Sequence, residues 1–367
     1  MPVQQMPPQP SMKPEDFDEI PGRISVGSRE PVADQMLIDL GDGRMLRGLG
    51  PFERRAVAPE EAWAFYLNDF KLSDPLPWYV PAILEWVTPE THEVSGAIRL
   101  EWQEPGKGGF QSVFEDIMQR IENGKLRKAV PAVTARAGWT AEDEAAFLDQ
   151  WPQLGGESGT HGYAMRSGDG SGFAGQTPEV LFRLEKGVLQ TMALAGTAPS
   201  HEAEAMLRNT KLLREHELVV EMLRERLAPL GDLQMEPRGL FSLGAMTHLC
   251  TRMQVVLDHP EQPGISDALV RLLHPTPALG IAPRTVETLE LLQGYREQLG
   301  VPGMFGAPFG IHWPQGMLML VAIRGIFWEK GEVKLPAGVG LVAGSQLGME
   351  WAELELKRSW VQHALRV

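Results

Sequence analysis

A glycine-punctuated apolar run near the C-terminus, Ala337-Gly-Val-Gly-Leu-Val-Ala-Gly-Ser345, breaks directly into a charged segment, Glu350-Trp-Ala-Glu-Leu-Glu-Leu-Lys357. Such a run reads as a strand that must turn sharply, and the segment after it reads as a helix that Ser345 or a neighbour can cap. Glu350 and Glu353 then fall in its first turns, where the macrodipole favours negative charge. Positions 350, 353 and 357 follow an i, i+3, i+7 spacing, so two carboxylates and one ammonium share a face. That face, fed by a loop that lets backbone amides approach a ligand, suits a divalent cation together with a carboxylate. Taken alone, it also describes a solvated helix with a Glu353–Lys357 surface pair. The rest of the chain decides between the two.

The length of 367 residues is enough for a large core, and 43% hydrophobic with 22% charged residues is ordinary for a globular protein. The net charge of −14 and the lack of a lysine or arginine run argue against nucleic acid or an anionic membrane as partner. An acidic protein that takes an anionic metabolite needs local cations, and a bound metal is the simplest source. Cys250 is the only cysteine, so there is neither a disulfide framework nor a cysteine-based zinc site, and the expected compartment is the cytoplasm.

Residues 1–20, rich in proline and glutamine at their start and without the apolar core of a signal peptide, read as a flexible tail. Residues 21–105 form an N-terminal portion of short strands, including 97–100, and one helix at about 59–71. The remainder, 106–367, reads as one compact body. Helices are expected at 110–123, 140–151, 202–227, 265–273 and 283–299, and strands at 126–134, 163–165, 172–174, 180–184, 188–194, 248–258, 305–312, 318–328 and 333–340. No phosphate-binding glycine loop and no membrane-length apolar run interrupts this interleaving, and the fold class is α/β (α+β).

Four further segments carry chemistry. Leu273-His-Pro-Thr-Pro-Ala-Leu279 is a rigid, proline-held turn between two helices. Gln176-Thr-Pro-Glu179 places a carboxylate at the start of a strand, and Ala193-Leu-Ala-Gly-Thr197 ends the next. Arg214-Glu-His-Glu-Leu-Val-Val220 lies inside a long helix. Val321-Ala-Ile-Arg324 puts a cation in an apolar strand, where a lone charge is costly unless paired.

In this order, and from about residue 110 to 357, these segments resemble the chorismate-utilising enzymes: the anthranilate, aminodeoxychorismate, isochorismate and salicylate synthases. The resemblance implies a large two-sheet α/β sandwich of two interlocked halves with the site between them. Lys128, in Lys128-Ala-Val-Pro131, occupies the position where amine-forming members carry glutamine and water-activating members carry lysine. Ala195 stands where many aminodeoxychorismate synthases have a nucleophilic lysine, and Ala198 where anthranilate synthases have arginine. Both agree with hydroxylation.

The implied activity is that of an isochorismate synthase, an isomerase that feeds menaquinone or a siderophore. The rivals are a salicylate synthase, an aminating synthase with an amidotransferase subunit (which Lys128 disfavours), and a chorismate-binding protein without turnover. The resemblance makes Lys128 the base and Glu179 the acid. It makes Glu215 and Glu353 ligands of Mg²⁺, with Glu350 acting through water. Arg324, Lys357 and the backbone around Gly338 and Gly340 would bind a substrate carboxylate. Ala278, Leu279, Ala195, Gly196 and Thr197 would line the ring pocket. His248 and His274 match family histidines whose role is either structural or direct, whereas His216 is expected only to support its helix. No amidotransferase subunit is expected, and the chain would act as a monomer or homodimer. Burial should bring an acid and base of this kind closer to neutrality.

The chain departs from the family pattern at Ile281 and Ala307, each in place of a glycine, and at Val133, in place of an arginine. A positive φ at position 281 would strain an isoleucine.

Overall fold

The computed structural model describes residues 34–41, 44–87, 97–151 and 159–367, and the tail expected at 1–20 lies outside them. The chain begins with four strands, β1 (Gln35–Asp39), β2 (Met45–Arg55), β3 (Ala64–Leu67) and β4 (Trp78–Val87). The helix expected at 59–71 is therefore replaced by β3. Its four residues are all buried, and β3 is hydrogen-bonded on both sides, so burial on both faces hides the alternation that marks a strand. Residues 97–100, expected as a strand, have no regular structure.

Next come α1 (Lys107–Glu122), β5 (Lys128–Ala129), β6 (Ala132–Gly138) and α2 (Ala141–Gln150). Helix α1 buries Phe110, Val113, Phe114 and Ile117, its expected apolar stripe. Helix α2 starts at a capping box between Thr140 and Asp143. Strands β7 (His161–Arg166), β8 (Gly172–Thr177), β9 (Val180–Glu185) and β10 (Val188–Pro199) lead to α3 (Ala203–Met206) and α4 (Thr210–Leu227). The single helix expected over 202–227 is thus broken. Asn209 interrupts it and caps α4, its side chain accepting from the amides of Lys211 and Leu212.

Strands β11 (Gly231–Met235), β12 (Gly239–Leu243) and β13 (Met246–Leu257) precede α5 (Ile265–Leu273), β14 (Ile281–Ala282) and α6 (Val286–Gln298). The chain ends with β15 (Pro308–Trp313), β16 (Gly316–Val321), β17 (Gly325–Glu329), β18 (Glu332–Gly338), β19 (Leu341–Val342) and α7 (Leu347–Leu365). Ser345 does not cap α7. Gln346 holds the N-cap position without a side-chain hydrogen bond, and the Ser345 hydroxyl accepts from the Val342 amide at 3.2 Å.

Sixteen of these strands form one antiparallel path, β11-β13-β10-β9-β16-β15-β3-β4-β2-β1-β7-β8-β17-β18-β6, with β12 added on β13. The two layers of the sandwich are the two ends of this path. Alternation along each strand divides the side chains between them. Leu318 and Leu320 of β16, Met192 and Leu194 of β10, and Phe327 of β17 share the central core. Met317, Met319 and Val321 of β16 face outward against Val219, Leu223 and Leu227 of α4 and Leu269 of α5. On the far layer, Ile326 and Trp328 pack with Phe147 of α2 and Trp360 and Val361 of α7. A smaller sheet, β14-β5-β19, closes one end together with α1.

Two chain crossings join the layers. One runs from β8 to β9 through Pro178 and Glu179, and the other from β16 to β17 through Ala322, Ile323 and Arg324. The strand expected at 318–328 is therefore two strands separated by Arg324, whose φ of 57° is left-handed. A bulky residue holds that conformation only where its surroundings over-determine it. Here the Tyr163 hydroxyl donates to the Ile323 carbonyl at 2.8 Å, and the Gln176 amide to the Arg324 carbonyl at 3.1 Å.

Candidate active site

A cavity of about 70 Å³ opens between the layers. Its wall includes Glu179, Ala195, Gly196, Thr197, Glu215, His248, Ala278, Leu279, Arg324, Gly338, Gly340, Glu353 and Lys357. The expected site residues thus converge from β10, α4, β13, β18, α7, the proline-held turn and both crossings. Lys128 and Glu350 lie just behind this wall: Lys128 is tied to Glu215, and Glu350 sits one helical turn before Glu353.

The helix face of α7 points inward. Glu350 is 1% exposed, and the side chains of Glu353 and Lys357 are each 15% exposed, so the surface-helix reading does not hold. Each carboxylate has a lysine at its side. Lys128 Nζ lies 3.2 Å from Glu215 Oε1, Lys211 Nζ 2.8 Å from Glu350 Oε1, and Lys357 Nζ 2.7 Å from Glu353 Oε1. Lys357 also donates to the Gly338 carbonyl at 2.8 Å. From the sequence Lys211 is expected only as a helix partner of Glu215, and its contact with Glu350 is a product of the fold. Its place four residues before Glu215, on the same face of α4, was the available signal.

The fit of a divalent cation can be judged from these groups. Glu215 and Glu353 reach one wall from two helices, and a hard cation needs few protein carboxylates when water and substrate oxygens complete its shell. Lys211 pairs with Glu350 Oε1, but among the described residues neither buried Glu350 oxygen has a well-aligned hydrogen-bond partner. Burial, followed by the nearby Glu353 charge, raises the Glu350 carboxyl despite Lys211. Burial would raise Glu353 too, but Lys357, Lys211 and hydrogen bonds from Lys357 and Thr197 more than offset it and hold it below its ordinary value. No group of three His, Cys, Asp or Glu side chains is gathered as a ready metal cage among the described residues. Two carboxylates with a third behind them fit magnesium better than a metal that demands an all-protein cage.

Gly340 makes room for this cluster. A Cβ there would lie 2.0 Å from Glu215 Oε1 and 3.2 Å from Lys128 Cε. On the opposite wall, β10 shifts register against β13 between Ala195 and Thr197, with Gly196 at φ +77°. This bulge re-aims Thr197 toward the cavity.

Thr197 Oγ1 lies 3.0 Å from His248 Nδ1, and Arg324 Nη2 lies 3.3 Å from His248 Nε2. Arginine can only donate, so Nε2 accepts and Nδ1 carries the proton that goes to Thr197. Burial, with Arg324 and Lys357 adding to it, pushes His248 well below the usual imidazole range, in keeping with a neutral ring. The Thr197 hydroxyl in turn serves Glu353. His248 is thus part of the site. His274 is not on the cavity wall, and its Nε2 meets the Phe70 carbonyl at 2.8 Å. His216 bonds Thr251 Oγ1 at 2.9 Å and supports its helix.

Burial lifts Glu179 to about 7, against the opposing pull of a Thr276 hydrogen bond and of Lys128, Lys357 and Arg324. The turn that carries Thr276 is held by two arginines. Arg226 donates to the carbonyls of Leu273 and Pro275 at 3.2 and 3.1 Å, and Arg284 to that of His274 at 2.7 Å.

The departures from the family pattern are accommodated. Ile281 is extended and buried in β14, paired with Ala129, and needs no positive φ. Ala307 is fully buried in its turn, and Val133 packs with Ala337 and Ile281. Of the backbone around Gly338 and Gly340, the Val339 amide between them is not available to a ligand, because it donates to the Pro131 carbonyl at 3.1 Å.

A family model described as "Chorismate binding enzyme" matches residues 84–366. The chain belongs to the chorismate-binding enzyme family. It is 35% identical over 217 residues to the salicylate biosynthesis isochorismate synthase of Pseudomonas aeruginosa, covering 55% of this chain and 44% of that protein. It is 30% identical over 200 residues to the isochorismate synthase MenF of Haemophilus influenzae, covering 50% and 44%. The chain therefore spans about half the length of the curated relatives it matches. The solved structure of MenF, the menaquinone-specific isochorismate synthase from Escherichia coli, superposes with a TM-score of 0.74 at 20% identity, covering 92% of this chain and 89% of that one. At that identity the likeness establishes the shared mixed α/β fold. No helix among the described residues is long and apolar enough to cross a membrane.

Proposed function

We propose that this chain converts chorismate to isochorismate, adding water at ring carbon 2 while the hydroxyl at carbon 4 leaves. What supports this reading is Lys128, where an aminating enzyme would hold glutamine, just behind the wall of the cavity lined by Glu179, whose carboxyl is lifted to about 7. Water addition needs a base on one ring face, and the departing hydroxyl needs a proton on the other. Glu179 is protonated below about pH 7 and supplies that proton. Lys128 acts as base only as a free amine, which can still donate to Glu215 at 3.2 Å while its lone pair meets the water.

Glu215 and Glu353, with Glu350 behind them, would hold Mg²⁺. The cation would neutralise the ring carboxylate of the substrate. Arg324 and Lys357 bind and orient the enolpyruvyl carboxylate, with Arg324 offering a planar fork. Ala278 and Leu279 shape the ring pocket with Ala195, Gly196 and Thr197, and the small Ala195 puts no amine nucleophile at its own position on that wall.

The test is product analysis by chromatography of purified protein with chorismate and Mg²⁺, with and without EDTA. Isochorismate that disappears with EDTA supports the reading. Salicylate with pyruvate would identify a salicylate synthase, and binding without any product would leave only a chorismate-binding role.

A further inference from the structure

Glu179 has two carboxyl oxygens, and their surroundings differ. Thr276 Oγ1 lies 2.7 Å from Oε1. The same hydroxyl oxygen accepts from the Leu279 amide at 3.2 Å, an amide shared with the Thr276 carbonyl at 3.1 Å. Its single hydrogen therefore remains to be donated, and Glu179 Oε1 is its recorded acceptor among the described residues. An oxygen that receives this hydrogen is the carbonyl-like one when the carboxyl is protonated. Among the described residues the hydrogen bond to the Glu179 carboxyl falls on Oε1, which leaves Oε2 as the oxygen available to the cavity that Glu179 lines.

We propose that Thr276 determines which oxygen of Glu179 holds the transferable proton, keeping Oε1 as acceptor and placing the proton on Oε2, at the cavity. Thr276 is a positioning residue, not a catalytic one, and its catalytic consequence rests on the reading of Glu179 as the acid. The device works because the turn is rigid. Arg226 and Arg284 hold the carbonyls on either side of Pro275, and Gly280 allows the close return of the chain, since a Cβ there would lie 2.8 Å from the Thr276 carbonyl. Were the hydroxyl to accept the proton of Glu179 instead, its own hydrogen would lose the one acceptor it has among the described residues. The charged groups that face Glu179 are Lys128, Lys357 and Arg324, with Glu215, Glu353 and His248 on the same cavity wall. None of them supplies this directional contact to Oε1, so removing the hydroxyl leaves the carboxyl free to hold its proton on either oxygen.

The experiment combines infrared difference spectroscopy of the ligand-free protein across a pH titration with steady-state kinetics. The carboxyl C=O band of Glu179 is assigned as the one absent in Glu179→Gln. In Thr276→Val this band should move to higher frequency, and its titration midpoint should rise from about 7, because a hydrogen bond that favours the charged form is gone. Thr276→Ser should restore both. The turnover number should fall about tenfold in Thr276→Val, with KM for chorismate nearly unchanged, and recover in Thr276→Ser. If Thr276→Val does not fold, Thr276→Ala carries the same measurement. An unmoved band and midpoint in a folded variant would overturn the proposal. A moved band and midpoint with unchanged turnover would uphold the proton placement and overturn Glu179 as the acid.

Discussion

Glu179 and Arg324 occupy the two neighbouring crossings that join the layers of the sheet, and their backbones are tied into one another's strands. The Val321 amide donates to the Glu179 carbonyl and the Gln176 amide to the Arg324 carbonyl, each at 3.1 Å. The proposed acid and the proposed carboxylate-binding cation are therefore held by the same hydrogen-bonded junction, and their relative position is as rigid as the sheet itself. A site assembled this way keeps its geometry without help from a flexible loop.

Replacement of Lys128 by alanine removes the proposed base from a position 1% exposed. Isochorismate formation should fall by at least about a hundredfold, the lower end of what general base catalysis contributes. Mg²⁺-dependent chorismate binding, followed by calorimetry, should stay largely intact. Retained turnover would move the base elsewhere.

The pH dependence follows from Glu179. Its carboxyl, lifted to about 7 by burial, is protonated below that pH and ionised above it. The value of kcat/KM should therefore decline as pH rises through about 7, and Glu179→Gln should be slow with no such limb. The same sign holds for stability. A carboxyl raised in the folded state favours folding below its unfolded value, and that contribution is lost as pH rises through the folded value. Thermal unfolding should show the parent protein losing stability as pH rises from the ordinary glutamate value to about 7, and Glu179→Gln losing less over that window.

Gly340→Ala places a methyl group 2.0 Å from Glu215 Oε1, the mobile end of a side chain. The carboxylate should give way rather than the backbone, so the melting temperature should change little. Activity should drop about tenfold or more, because a displaced ligand or base loses its alignment. A variant that melts much earlier, with undiminished activity in the remaining folded fraction, would contradict this account.

Removal of divalent cation by EDTA should abolish product and its return should restore it. Glu215→Gln and Glu353→Gln should each raise the Mg²⁺ concentration required for half-maximal rate by about tenfold or more, the scale of a lost charge-assisted ligand. Equal magnesium requirements in the parent and both variants would argue that the carboxylates serve only their lysine partners.

Much of this site was legible in the chain because its pieces are local. The i, i+3, i+7 spacing of Glu350, Glu353 and Lys357 defines a helix face, the prolines around Thr276 define a turn, and Asp143 three residues after Thr140 defines a cap. Local signals misled where burial erased periodicity, as in β3, where Ala64, Phe65, Tyr66 and Leu67 are all interior. They also misled where one polar residue interrupted a pattern, as Asn209 does before α4 and Arg324, next to Gly325, does between β16 and β17.

The amino-acid sequence by itself determined the helix faces, the turns and the residue types of the site, because these depend on neighbours within a few positions along the chain. Only the tertiary structure decided that α7 faces inward, that Lys128 meets Glu215 across 87 positions, and that Thr276 meets Glu179 across 97. Those contacts bring the small sheet, helix α4 and the proline-held turn against the crossings of the long strand path. Closure of that path removes water from the carboxyl of Glu179, and it is this desolvation that turns an ordinary glutamate into a group that can give up a proton near neutral pH.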